Sequence, residues 1–147
     1  NFGARNNDRV LKVFKLTVFA ATAVTSVMFL FAELIPGLIA RAFTRSPELI
    51  SLTISGMRLF LLVFPLVGFQ MVTSSFFRSI GKAKISILLS LTRQVLFLIP
   101  ALLILPRLIG LPGVWLAGSV SDFVSSLVTF IVLRWQIGKL MNNEVLT

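Results

Sequence analysis

The chain has 147 residues, is 56% hydrophobic and 13% charged, and carries a net charge of +9 with a mean hydropathy of +0.98. Soluble domains are about 25% charged, so the composition places this chain among helical membrane proteins. Cysteine and histidine are absent, which excludes a disulfide framework, a thiol nucleophile, a Cys/His metal site and a histidine general base.

The positive charge does not gather on one soluble face. It sits at the ends of apolar runs, which argues against nucleic acid and for a lipid bilayer as the partner. The sequence opens on Asn1 and has no basic, apolar and small-residue signal pattern. It reads as a fragment that starts in a loop of a longer protein.

Residues 1–15 are polar and basic. Asn7 or Asp8 can cap the first predicted helix, at about residues 9–43. Its charge-free core is 16–32, Glu33 lies toward its far end, and Pro36-Gly37 predicts a kink or break, with 38–43 continuing as an interfacial turn. Ser46, Pro47 and Glu48 form a helix start: a cap, a first-turn proline and an acid at the positive helix end.

The second predicted helix covers about 47–79. Its uncharged run, 59–77, can cross a bilayer core of ~30 Å at ~1.5 Å per residue. Pro65 removes a backbone hydrogen bond and Gly68 permits close approach, so the pair is a candidate hinge for alternating access or a static kink. Gln70 follows at mid-run, then Thr73. Basic residues Arg78, Lys82 and Lys84 close the segment.

The third predicted helix is at about 83–105, with Arg93 near its centre and Pro100 beyond. A Pro- and Gly-rich turn is expected at 105–113. The fourth helix is at about 114–139, with Asp122 near its centre and Trp115 and Trp135 near its two ends, as interfacial anchors. Residues 142–147 form a polar tail expected to fray. The fold class is therefore all-α: four antiparallel transmembrane helices with short connections.

Orientation follows from Lys and Arg placement. Arg5, Arg9, Lys12, Lys15, Arg78, Lys82, Lys84, Arg134 and Lys139 share one side, against Arg41, Arg45 and Arg107 on the other. Nine against three places both termini and the 79–83 loop in the cytoplasm.

Four charges fall within the spans, and a charge near the bilayer centre costs ~2.5–3.5 kcal/mol on insertion scales. Depth matches Glu33 with Arg58 toward the outer side, and Arg93 with Asp122 at the midplane. Each pair is a candidate ion site or a structural ion pair. Gln70, Phe69, Thr73, Arg93 and Asp122 are the candidate lining of a substrate cavity. For Gln70 the plainer alternative is an interhelical hydrogen bond. Phe60, Phe64, Phe69, Phe76 and Phe77 could line an aromatic cavity for planar cations, or simply face lipid and the bundle core.

Several segments together resemble one family. Asn1-Phe2-Gly3-Ala4-Arg5 with Asn7-Asp8-Arg9-Val10 is similar to a cytoplasmic loop of the multidrug and toxic compound extrusion (MATE) family. Phe69-Gln70 followed by Ser79-Ile80-Gly81-Lys82-Ala83-Lys84 resembles a second motif. Leu91-Thr92-Arg93-Gln94 and Gly113-Val114-Trp115-Leu116-Ala117 with Asp122 resemble a third and a fourth. The order and spacing hold across the chain. The resemblance implies the ninth to twelfth of twelve helices, hence part of a six-helix lobe whose partners are two further helices and the N-terminal lobe. It implies a bacterial inner-membrane antiporter that exports small organic cations and other drugs, coupled to Na⁺ or H⁺ entry, with no resident cofactor; the lack of His, Cys and a paired-carboxylate motif argues separately against a membrane enzyme.

One departure matters. A branch of the family carries a cation-binding carboxylate in the helix equivalent to 47–79, and here no acid lies between Glu48 and Asp122. The coupling-ion site is therefore expected outside this fragment. The alternatives are a lipid-linked oligosaccharide flippase of the same superfamily and a non-transporting structural bundle.

Overall fold

The computed structural model describes residues 7–142. The loop motif at 1–5, with Arg5, and the tail at 143–147 lie outside the described residues. Seven α-helices make up four spans: α1 (Asn7–Leu34), α2 (Pro36–Phe43), α3 (Pro47–Leu61), α4 (Phe64–Ser79), α5 (Ala83–Leu91), α6 (Ile99–Ile109) and α7 (Leu111–Asn142). A π-helical turn, Thr92–Leu98, joins α5 to α6.

Proline sets most of the breaks. Pro36 has no N–H to offer the carbonyl of Ala32, so α1 stops and α2 restarts with Pro36 in its first turn. Ser46 holds the cap position of α3 with an extended backbone, but its hydroxyl makes no capping bond; its N–H instead meets the Thr44 hydroxyl at 3.3 Å. The second span is broken at Leu62 and Val63, and α3 and α4 diverge by 46°. Pro65 lies just beyond, in the first turn of α4, where its missing N–H costs least.

The third span differs from expectation. A helix continues past 105 to Ile109 with Pro106 inside it, and α7 begins at Leu111. The expected 105–113 turn shrinks to Gly110, whose φ of +68° ends α6 while its N–H bonds the Pro106 carbonyl at 2.9 Å. Pro112 falls in the first turn of α7, where proline is tolerated. The π turn lies just before Pro100. Lacking an N–H for the Leu96 carbonyl, Pro100 favours a wider turn, and the Ile99 N–H reaches back to Gln94.

α7 is the hub. α3, α4, the π turn and α6 all pack against it, while α1 packs mainly on α4. Its inward face is made of small and polar side chains: Ala117, Ser119, Ser121, Ser125, Ser126 and Thr129 are buried. Large apolar residues such as Leu16, Phe19, Leu108 and Ile131 point outward. This inversion suits a bilayer, where tails solvate apolar side chains and small residues let helices approach closely. A compact apolar cluster of Phe14, Phe76, Phe77, Ile80 and Leu133 closes the end of the bundle bearing Arg78 and Lys82, with the Phe14 and Phe76 rings 4.5 Å apart.

Glycines permit the tightest contacts. A side chain on Gly56 would lie 2.6 Å from the Trp115 ring, and one on Gly118 would lie 2.8 Å from Phe60. Together they allow α3 to lie against α7. By length and hydropathy α1, the α5–α6 rod and α7 can each cross a membrane, and α3 with α4 forms a fourth, bent span.

Candidate functional site

The polar centre forms where α4, the π turn and α7 meet. The Arg93 Nε lies 2.6 Å from the Asp122 carboxylate. Both charges sit near mid-span, where unpaired they would be costly. The π turn changes the helical register around Arg93, and the Arg93 carbonyl accepts from the Ser121 hydroxyl at 3.0 Å. Thus Arg93 is held by side chain and backbone to adjacent residues of α7.

Gln70 is buried in the same place. Its amide nitrogen donates to the Asp122 carbonyl at 2.7 Å and to the Ser126 hydroxyl at 2.6 Å. Ser126 in turn donates to the Asp122 carbonyl at 2.7 Å. Both donor hydrogens of Gln70 are therefore engaged in joining α4 to α7. Gln70 and Arg93 also line a polar cavity of about 200 Å³, with Ser74, Ser75, Arg78 and Ser125 among the other walls.

Phe69 and Thr73 are placed elsewhere. Phe69 packs on the apolar cluster. Thr73 is fully buried and donates to the Phe69 carbonyl at 2.8 Å. The five phenylalanines of the second span do not surround one cavity. Phe60 covers Gly118, Phe77 is buried in the core, and Phe76 lines an apolar groove of about 460 Å³ between α1 and α4.

The second ion pair joins α1 to α3, with the Arg58 Nε 3.3 Å from Glu33. The Arg58 side chain is 54% exposed, so the pair is worth less than its midplane counterpart. No group of three metal-ligating side chains occurs among the described residues.

Pro65 and Gly68 face α1. The Thr25 hydroxyl, whose shorter contacts are the Ala21 and Thr22 carbonyls of its own helix at 3.0 and 3.1 Å, also lies 3.2 Å from the Pro65 carbonyl, and a side chain on Gly68 would lie 2.8 Å from the Ala21 carbonyl oxygen. On the other side of the break, Ser119 of α7 donates to the carbonyls of Leu59 and Phe60 at 2.5 and 3.0 Å. Two backbone acceptors on the near side of the break are thus met by a hydroxyl of α7.

Sequence reasoning does not single out the serines of α7 or the π turn. Their signals are the Ser119, Ser121, Ser125, Ser126 series flanking Asp122, and a proline seven residues after Arg93.

Four packed spans around a polar seam define part of a multi-pass membrane protein. Comparison with known proteins narrows this class. A profile of the MatE family matches residues 1–103. A solved structure of the MATE multidrug transporter DinF-BH, determined as a complex, superposes with a TM-score of 0.85 at 36% identity, covering 91% of this chain and 30% of that one. Inward-facing and outward-facing structures of a multidrug resistance MATE family transporter of the MOP superfamily match at 25% and 26% identity, each with a TM-score of 0.76 over 96% of this chain. No curated protein matches. The chain belongs to the MATE family of membrane transporters. It spans about a third of the length of the solved transporters.

Proposed function

We propose that the complete protein is a secondary active multidrug exporter, an antiporter that moves organic cations or other drugs out of the cell in exchange for Na⁺ or H⁺. The observation that carries this reading is the 36% identity, over 91% of the chain, to the MATE multidrug transporter DinF-BH. The rest of its six-helix lobe and the opposite lobe would complete the cavity. The nine-to-three distribution of Lys and Arg favours an orientation with both ends of this segment cytoplasmic, and the likeness to multidrug transporters favours a bacterial inner membrane.

The coupling site belongs, on this reading, to the remainder of the transporter. Glu33 and Asp122, the acids within the spans, each have an arginine partner. A carboxylate already neutralised by a guanidinium is a poor receptor for a second cation. The equal likeness to inward- and outward-facing structures supports alternating access in which these four spans keep one internal arrangement. The break at Leu62–Val63 then acts as a static kink, with Ser119 holding the carbonyls of Leu59 and Phe60.

The test is dye efflux by the complete transporter in cells lacking other pumps, with the Na⁺ and H⁺ gradients collapsed separately. Loss of efflux with one gradient is expected. Efflux that survives collapse of both overturns the antiport reading.

A further inference from the structure

The cavity between α4, the α5–π rod and α7 has a chemistry that export of cations does not explain. Its walls include two guanidinium groups, Arg78 and Arg93, together with Ser74, Ser75, Ser90, Gln94 and Thr129, and none of its walls is acidic. The Arg93 Nε is the atom that meets Asp122, which leaves the terminal nitrogens of its fork for another acceptor. Arg78 donates to the hydroxyls of Ser75 and Ser86, at 2.9 and 3.2 Å, and no carboxylate pairs with it among the described residues.

With Asp122 counted against Arg93, the site keeps one positive charge. A second, independent observation comes from Ser125. This residue is 4% exposed, it lines the cavity, and its hydroxyl has no hydrogen-bond partner. Buried hydroxyls are normally satisfied, so this one awaits a partner that the described residues do not supply.

We propose that this cavity binds a single anionic group of the phosphate class, presented by a lipid headgroup or by a free anion. Planar guanidinium forks match phosphate oxygens, and basic pockets between membrane helices take anionic headgroups. Within these four spans the cavity is about 200 Å³, which suits one small headgroup better than the roughly 300–1,000 Å³ that drug-sized ligands fill. Arg78 lies at the basic end of the bundle and Arg93 near its middle, so the cavity runs inward from the membrane surface. One charge on the ligand neutralises the one left over.

The experiment uses the complete transporter carrying this chain, purified and delipidated, with thermal stability read against added ligand. The probes are dioleoylphosphatidylglycerol, dioleoylphosphatidylcholine and, in the zwitterionic lipid, inorganic phosphate. Stabilisation by phosphatidylglycerol but not by phosphatidylcholine is expected, and an effect of inorganic phosphate assigns the same site to a free anion. Arg78→Gln should weaken the anion's apparent affinity about tenfold, and Ser125→Ala about threefold, as for a charge-assisted and an ordinary hydrogen bond. Arg107→Gln removes an equal charge at the opposite end and should leave the response unchanged. Ser125→Ala removes a hydroxyl with no partner, so it should fold normally and can carry the test if Arg78→Gln does not. An anion response in Ser125→Ala and Arg78→Gln equal to that of the parent, or no anion response at all, overturns the proposal and leaves the cavity to water.

Discussion

Arg93 and Asp122 meet at 2.6 Å at the point where a π-helical turn faces α7, and the carbonyl of the same aspartate accepts from Gln70 on α4. One residue of α7 therefore ties together two other spans, through its side chain in one direction and its backbone in the other.

Removing half of this ion pair should be worse than removing all of it. A buried pair broken on one side costs about 3–5 kcal/mol. The Arg93 side chain is 38% exposed, so about 2–3 kcal/mol is expected for Arg93→Ala or Asp122→Ala after allowing for screening. The double substitution should cost less than either single one. Thermal unfolding of the complete transporter in detergent gives the cycle. Strictly additive losses mean that the two charges do not interact.

Gln70 separates a structural from a cargo-binding role. Gln70→Leu removes two interhelical hydrogen bonds, each worth about 0.6–1 kcal/mol in a membrane. A loss of about 1–2 kcal/mol in stability is expected, with the apparent KM for dye efflux unchanged in the folded fraction. A KM raised severalfold at full stability places Gln70 against the cargo instead.

The parts of this centre are unequally legible in the sequence. Arg93 and Asp122 can be matched by depth, because helical rise converts residue number into position across the bilayer. The same arithmetic matches Glu33 with Arg58. The π turn escapes it, since its cause is a missing N–H at Pro100, downstream of the residues it moves. The bonds from Gln70 and Ser121 to backbone carbonyls escape as well, because every residue carries a carbonyl and nothing in a sequence marks which one is reached. Pro106 and Pro112 suggest a long turn that the structure does not contain. Proline's punctuation depends on whether it falls inside a helix or in its first turn, and Gly110 alone makes the reversal.

Close helix contacts should rank by what can move. Alanine at Gly68 would press on the Ala21 backbone at 2.8 Å, and alanine at Gly118 would press on the Phe60 ring at the same distance. A ring can swing aside, whereas a helix backbone cannot without shifting α1. Gly68→Ala is expected to cost about 2–3 kcal/mol and Gly118→Ala about 1 kcal/mol or less, within the usual range for overpacking. Melting temperatures of the two variants check the order, and a reversed order contradicts the packing argument.

The break in the second span offers the sharpest choice between a moving and a fixed element. Ser119 of α7 holds the carbonyls of Leu59 and Phe60 on its near side, and the Thr25 hydroxyl of α1 lies 3.2 Å from the Pro65 carbonyl beyond it. Ser119→Ala should lower stability by about 1 kcal/mol, near the net worth of one hydrogen bond, and Thr25→Val by less, because the Thr25 hydrogen is shared with carbonyls of its own helix. A flexing hinge must release these bonds in every cycle, so removing them would ease the motion and raise turnover. A static kink predicts unchanged or lower turnover. Spin labels on α3 and α4 provide a second readout: the distance across Leu62–Val63 should stay the same when the complete transporter is trapped inward-facing and outward-facing. A shift of several ångströms between the two states, with faster efflux in the double variant, makes the break a hinge.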